Sequence, residues 1–309
     1  MPISQLSCQG CHASTLADGT PVDPATYTPS CADCHVDVDN PSEGITDALC
    51  MGCHARQGAE ANFFGDVHRD AGFTCTSCHT TTEIHGDGTE HVSMLETPGP
   101  QCEDCHAMDG EAGPIPTNTA HTIHADKVDC SACHVQSVVS CRNCHFESEV
   151  AGAGKRFFGP PAKDFKMLLN FRGKVYPATF QSLVFQGESF YVLAPYYAHT
   201  VTPSVACDDC HDNAAIREYR ANGEITVTKY ADGELQGPTG VIPIPPDWRT
   251  ALQFDFLDYL GDPTTPIADT DPVLWQFLKT GADLNQMPYG TPLTTEQMNA
   301  LALHVGSTK

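Results

Sequence analysis

The sequence predicts two parts: a mostly irregular, short-helical array over residues 1–150, and a mixed domain with β-hairpins and a few helices over residues 151–309. Three observations support this division. Seven copies of the pattern Cys-x-x-Cys-His crowd into the 138 residues from Cys8 to His145, which leaves no room for independent domains between them. Glycine (25) and proline (23) are plentiful, as in a loop-rich chain. After Glu149 the composition becomes rich in β-branched and aromatic residues.

The repeated pattern occurs eight times, and its eight copies use all 16 cysteines. Cys-x-x-Cys-His is the attachment signature of c-type haem, in which both thiols form thioethers to the porphyrin and the histidine is the proximal iron ligand. The predicted attachment cysteines are Cys8, Cys11, Cys31, Cys34, Cys50, Cys53, Cys75, Cys78, Cys102, Cys105, Cys130, Cys133, Cys141, Cys144, Cys207 and Cys210. The predicted proximal ligands are His12, His35, His54, His79, His106, His134, His145 and His211.

Two other classes of cysteine site fit the pattern poorly. A structural zinc site usually pairs two Cys-x-x-Cys motifs and does not require a histidine directly after each of them. A disulfide framework needs no such histidines and no such uniform spacing. We therefore expect eight haem c groups and no cysteine left over for a disulfide, a zinc site or a nucleophile.

With these motifs the chain resembles a multihaem c-type cytochrome with eight haems, and the motifs that carry the resemblance span residues 8–211. The resemblance implies a haem-packed array, in which the macrocycles supply much of the apolar core that the chain itself lacks. It also implies electron transport as the function. Some multihaem cytochromes polymerise into extracellular filaments, so a homopolymer is one of the assemblies to be expected.

Counting the histidines shows that one haem must differ from the rest. Of 15 histidines, eight belong to the motifs, so seven remain for eight distal positions. His68, His124 and His199 precede a motif cysteine by seven, six and eight residues, and His121 with His124 could serve two haems from one helical turn. The distal candidates are His68, His85, His91, His121, His124, His199 and His304.

Methionine is the leading candidate for the missing distal ligand, because it is one of the usual axial ligands of haem iron. Met287-Pro288 followed by a terminal helix resembles the tail of single-haem class I cytochromes c, which implies Met287 as a ligand of the eighth haem. A methionine that only packs in the core is the alternative. Met94 and Met108 are lesser candidates, and an open haem or one ligated by lysine or water is another.

The mixed domain shows both strand and helix patterns. Strands are predicted over Met167–Phe171, Val175–Phe185, Phe190–Leu193 and Glu224–Tyr230. Hairpin turns are predicted at Arg172-Gly173-Lys174 and at Gln186-Gly187-Glu188-Ser189, and a turn follows the last strand at Asp232-Gly233. Helices are predicted from Pro246 to about Tyr259, from Asp271 to about Lys279 and from Thr294 to about Val305, the last opened by a capping box of Thr294 and Gln297.

Charge and hydropathy restrict the partners. The formal net charge is −23, which disfavours nucleic acid and anionic membrane surfaces and suits basic redox partner proteins, cations or extracellular electron acceptors. No apolar run approaches the roughly 20 residues of a membrane-spanning helix. Because thioether attachment of haem belongs to the outer side of the cytoplasmic membrane, we expect a periplasmic or extracellular protein whose leader precedes this numbering.

Three functions are weighed against these observations. The first is electron transfer through the haem chain, with no substrate pocket, and a polymeric wire is one form of it. The second is an octahaem oxidoreductase that acts on small nitrogen or sulfur compounds at one open or unusually ligated haem, and the missing histidine favours it. The third is a structural or adhesive role, to which eight haems would contribute little.

Overall fold

The computed structural model describes residues 14–15, 20–22, 27–28, 30–35, 37, 39–89, 91, 96–97, 99–106, 115–153, 161–279 and 284–303. Predictions for Cys8, Cys11, His12 and His304, and those for Met94 and Met108, lie outside these residues.

The first part of the chain is a series of short helices with irregular connections, as predicted. Its longest helix has nine residues. The elements in chain order are β1 (Ser14–Thr15), β2 (Pro21–Val22), α1 (Cys31–Cys34), α2 (Asp47–Cys53), α3 (Ala55–Phe63), α4 (Val67–Asp70), α5 (Cys75–Cys78), α6 (Thr81–His85), α7 (Cys102–His106), α8 (Thr119–His124) and α9 (Cys130–His134).

The second part begins with a five-stranded sheet. Its strands are β3 (Cys141–His145), β4 (Phe165–Phe171), β5 (Lys174–Phe185), β6 (Glu188–Pro195) and β9 (Gly240–Pro243), and the short helix α10 (Phe146–Val150) follows β3. The long central strand β5 pairs antiparallel with β4 and β6 and parallel with β3, and β9 lies parallel to β4 on its other side. The seventh motif is therefore part of this sheet, and a domain boundary near residue 150 stays a prediction.

A second sheet has the strand order β11-β10-β7-β8. Its strands are β7 (Ile225–Ala231), β8 (Glu234–Gln236), β10 (Leu252–Tyr259) and β11 (Trp275–Lys279). The remaining helices are α11 (Cys207–Cys210), α12 (Ala214–Asn222), α13 (Trp248–Ala251) and α14 (Thr295–Leu301).

Both predicted hairpin turns and the predicted turn at Asp232-Gly233 are confirmed, and their geometry explains why the sequence signals them. Arg172-Gly173, Gln186-Gly187 and Asp232-Gly233 each have two successive positive φ angles. Two positive φ angles define the type I′ turn, whose twist matches that of the flanking strands and whose second position favours glycine. The capping box of α14 is also confirmed, since Gln297 N donates to Thr294 Oγ1 and Thr294 N donates to Gln297 Oε1.

Two predicted helices are wrong. The segment from Pro246 to Tyr259 is helical only over α13 and then continues as strand β10, and the segment from Asp271 to Lys279 has one 3₁₀ turn, Pro272–Leu274, before strand β11. The physical reason lies in the spacing of the buried residues. Burial alternates along the first residues of β10: Leu252 and Phe254 are buried, whereas Gln253 and Asp255 are only partly buried. This period of two is that of a strand.

Two apolar clusters lie on opposite faces of strand β4. Phe165, Met167 and Leu169 contribute to the larger cluster, which fills the space between the two sheets. Leu168, the residue between them, faces a smaller cluster with Ala132 of α9, Ile216 of α12 and Met298 of α14. The smaller cluster therefore joins the sixth motif to the segment that carries the eighth.

Candidate haem-binding centres

Six of the motifs with described residues lie in single helical turns. The turn brings both cysteine side chains to one side, because residues three apart are neighbours on a helix surface. Local hydrogen bonds begin these turns: Ser30 N donates to Asp33 Oδ2 at 2.6 Å before the second motif, and Ser131 N donates to Asp129 Oδ1 at 3.0 Å in the sixth. The helical motifs are those in α1, α2, α5, α7, α9 and α11.

Among the described residues, histidine rings meet in five pairs, and each pair combines one motif histidine with one histidine outside the motifs. The ring-centroid distances lie between 5.9 and 6.3 Å. The pairs are His35 with His85, His79 with His199, His106 with His68, His134 with His121, and His211 with His124. We call each motif together with its paired histidine a centre and number the centres by motif, so these are centres two, four, five, six and eight.

The spacing within each pair fits a metal ion between the rings. With metal–nitrogen bonds of about 2 Å on opposite sides of one ion, two imidazole centroids lie roughly 6 Å apart. Aromatic stacking alone permits a similar distance, but it gives no reason why every pair should contain one motif histidine. The residues present therefore fit haem iron with two axial histidines.

Backbone carbonyl groups orient several of these rings. The Nδ1 atoms of His35, His121 and His211 donate to the carbonyl oxygens of Pro41, Pro116 and Ala300 at 2.6, 2.6 and 3.0 Å. A ring that donates from Nδ1 leaves Nε2 as the ligand atom, and such outer hydrogen bonds fix the tautomer and orientation of metal-binding histidines. The contact with Ala300 also brings α14 against the eighth motif.

The two rings of the fourth centre face carboxylates instead. Nδ1 of His79 lies 2.7 Å from Glu83 Oε1, and Nδ1 of His199 lies 3.6 Å from Glu60 Oε2. Glu60 is fully buried and also accepts a hydrogen bond from the backbone N of His199 at 3.0 Å. A carboxylate behind an axial histidine raises the basicity of that ligand. Glu83 could have been recognised in the sequence by its spacing of four residues from His79, whereas Glu60 has no sequence signal.

Thiol groups of different motifs lie close enough to affect each other's pKa values, which indicates which motifs are neighbours. Burial, together with Asp47 and Cys50, raises the pKa of Cys75 to about 12. Burial likewise raises the pKa of Cys78, with Cys105 the next contribution, and of Cys133, with Cys207 among its neighbours. Neighbouring thiol pairs of this kind are Cys34 and Cys50, Cys50 and Cys75, Cys78 and Cys105, Cys102 and Cys130, and Cys133 and Cys207. They connect motifs two, three, four, five, six and eight in one line.

The seventh motif differs from the other described ones because it lies on strand β3. Its histidine, His145, is 3% exposed, its Nε2 lies 3.3 Å from Asn143 Nδ2, and the ring beside it is Trp275 at 5.2 Å. Glu147 and Asp258 have oxygen atoms within 4.8 Å of His145. This environment does not share the paired-ring geometry of the five centres above.

The remaining candidates have individual surroundings. His54 lies near the fourth centre, where burial lowers its pKa and His79 and His199 lower it further. His91 has Nε2 3.2 Å from both carboxylate oxygens of Asp87. Met287 is partly buried and packs against the larger apolar cluster, which is the environment expected of a packing methionine.

A family model described as cytochrome c7 and related cytochrome c matches residues 61–135. The match covers the fourth, fifth and sixth motifs together with the non-motif histidines His68, His85, His91, His121 and His124. This segment is a multihaem, cytochrome c7-like domain, and its class of cofactor is haem c. No curated protein and no solved structure matches the chain.

Proposed function

We propose that this protein transfers electrons along a chain of eight covalently bound c-type haems, outside the cytoplasm, between redox partner proteins or extracellular electron acceptors. The observation that carries the proposal is the set of five histidine pairs, each formed by a motif histidine and a non-motif histidine. Haem c supplies a one-electron couple at each centre. An iron with two histidine ligands has no open position for a substrate, so the paired centres fit an electron carrier and not a catalyst.

Each part of the proposed site has its own task. The motif cysteines hold the porphyrin covalently, so it cannot dissociate. The paired histidines would bind the iron, and the carbonyl groups of Pro41, Pro116 and Ala300 keep three of those rings fixed. A ring that cannot turn needs little rearrangement when the charge of its centre changes, which favours rapid transfer.

The linear order of neighbouring thiols supports a path from the second motif to the eighth. The path crosses from the helical array to the segment that carries α11, because the residues just before the eighth motif contact the backbone of the sixth: Val205 N donates to the carbonyl of Cys133 at 3.0 Å. Polymerisation into a wire would extend this path between copies of the chain. Among the described residues no helix is long and apolar enough to cross a membrane.

An octahaem oxidoreductase is the second candidate, and the observation that favours it is the shortfall of one histidine for the eight distal positions. The setting of the seventh motif differs from that of the five paired centres, because its histidine lies on strand β3 and the ring of Trp275 is 5.2 Å from that of His145.

Electron paramagnetic resonance of the fully oxidised, haem-loaded protein tests the assignment. We expect a haem content of eight by intact mass, and low-spin ferric signals from at least the five paired centres. His124→Ala should convert one of these signals to high spin, because its ring is the partner of His211. Thr122→Ala, on the exposed side of the same helix, is the matched control and should leave all signals unchanged.

A high-spin signal in the wild type that changes on addition of nitrite, hydroxylamine or sulfite would favour the oxidoreductase. A protein that binds zinc at the motifs or forms disulfides between them, and takes up no haem in a host with haem-attachment machinery, would refute both candidates. Size-exclusion chromatography and electron microscopy of the loaded protein test the polymer separately.

A further inference from the structure

Lys166 is a fully buried lysine in the middle of strand β4. Its strand neighbours Phe165 and Met167 face the larger apolar cluster. Because successive side chains of a strand point to opposite faces, Lys166 points to the face where Leu168 packs with Ala132 and Met298. The sixth and eighth motifs lie on that face, since the smaller cluster contains Ala132 and has Cys210 packed against it.

The ammonium group contacts the sixth motif directly. Nζ of Lys166 donates to the carbonyl oxygen of Ala132 at 2.6 Å and to that of Val135. These two residues flank Cys133 and His134. Within the described part of the chain, the hydrogen bonds of Nζ go to these carbonyl groups and not to a carboxylate, so no acidic side chain is bonded to the ammonium group.

The charge of Lys166 reaches both motifs. Its Nζ is bonded to the two carbonyl groups that flank Cys133 and His134, and Cys210 of the eighth motif packs against the same apolar cluster as Ala132. Burial is the largest influence on the pKa of Lys166 and lowers it, and the carboxylate of Asp209 acts in the other direction. One buried cation thus lies within electrostatic range of the attachment points of two haems.

We propose that Lys166 raises the reduction potentials of the sixth and eighth centres, so that these two centres are reduced in preference to the other centres of the array. This inference rests on the proposed function. In each transfer a redox partner gives one electron to a ferric iron, which becomes ferrous, and the centre loses one unit of positive charge. A fixed cation nearby favours the state with less positive charge, and low-dielectric surroundings strengthen the effect.

The surroundings of the fourth centre provide the contrast within the same chain. Its two histidines face Glu83 and the buried Glu60, and carboxylates favour the ferric state. The fourth centre therefore has two carboxylates beside its rings, whereas the sixth has the buried ammonium group of Lys166 bonded to its backbone. Lys166 is thus a positioning residue: its charge influences at which centre the electron resides, without contact between Lys166 and the iron.

Potentiometric titration of the haem-loaded protein, followed by visible absorption and electron paramagnetic resonance, tests the proposal. Lys166→Gln removes the charge but keeps an N–H donor, and Lys166→Met removes both. We expect one or two components of the titration to shift to more negative potentials in both variants. At a fixed applied potential their reduced-to-oxidised ratio should fall about tenfold, which for a one-electron couple is about 59 mV.

Lys229→Met is the matched control, because it removes a lysine from an exposed position of strand β7, and it should shift no component. Haem content by intact mass is measured for every variant. Unchanged or more positive potentials in fully loaded Lys166→Gln would overturn the proposal. Loss of haem from both neutral variants would overturn it in favour of a structural role. A wild type without haem would instead refute the proposed function.

Discussion

Glu60→Gln isolates the contribution of one buried carboxylate to the fourth centre. Glu60 is 0% exposed, and its Oε2 lies 3.6 Å from His199 Nδ1. Glutamine has nearly the same shape and keeps a carbonyl oxygen for the backbone N of His199, which donates to Glu60 Oε2 at 3.0 Å. The substitution therefore removes a negative charge while disturbing the packing little.

The magnitude follows from the distances. The midpoint between the rings of His79 and His199 is half of their 6.1 Å separation from each centroid. The distance from the midpoint to the carboxylate is at most this half-separation, plus the distance from the His199 centroid to its Nδ1, plus the 3.6 Å from Nδ1 to Glu60 Oε2. The sum is about 8 Å. Two unit charges at about 8 Å interact by roughly 2 kcal/mol at an effective dielectric constant of about 20. For a one-electron couple this corresponds to about 90 mV.

The assay is a potentiometric titration of the loaded protein at neutral pH. We expect the midpoint potential of one component to rise by about 90 mV, because loss of a negative charge disfavours the ferric state. Glu296→Gln, at an exposed position of the terminal helix, is the control. A fall in potential, or a rise below about 20 mV, would show that Glu60 carries no charge beside this centre.

Three further predictions concern the fold, and each is measured by denaturant unfolding of the loaded protein. Ile216→Ala should lower the free energy of unfolding by about 2–5 kcal/mol, because this side chain is 1% exposed in the cluster between α12 and the sixth motif. Val273→Ala, the control at an 82% exposed position, should change the free energy of unfolding little. Equal effects of the two substitutions would refute the packing of Ile216 in this cluster. Thr294→Ala should lower the free energy of unfolding by about 1 kcal/mol through loss of the cap of α14. Thr295→Ala, at an exposed position of the same helix, is the control, and an unchanged free energy of unfolding in Thr294→Ala would contradict the capping box. Burial and the charge of Glu147 raise the pKa of Asp258 in the folded protein, so its contribution to stability is present below the unfolded pKa of about 4 and is lost as pH rises through the folded pKa. Asp258→Asn should therefore be more stable than the wild type at neutral pH and lose this advantage at low pH. A stability difference that does not depend on pH would refute the raised pKa of Asp258.

Local chemistry was predictable from the sequence. The Cys-x-x-Cys-His turns depend on residues within one helical turn, and the hairpins at Arg172-Gly173 and Gln186-Gly187 depend on two successive positive φ angles. The strands β10 and β11 were not predicted correctly, because their partners β7 and β10 are distant in sequence and short apolar runs suit either a strand or a helix.

The pairing of histidines is a tertiary property. His68 lies seven residues before Cys75, yet its ring faces His106 of the fifth motif, and His199 faces His79 across 120 residues. Spacing identified both as ligand candidates but could not assign their partners. The same holds for Lys166 and Glu60, whose importance comes from burial beside the motifs.

The most direct test of the account is an experimental structure of the haem-loaded protein at side-chain resolution. The account predicts a thioether-bound haem at every motif, with iron between His35 and His85, His79 and His199, His106 and His68, His134 and His121, and His211 and His124. We also predict that the sixth position of at least one iron is not occupied by a histidine of this chain, because seven non-motif histidines face eight irons. Irons ligated by other pairs of histidines, or motif cysteines bound to another metal, would contradict it.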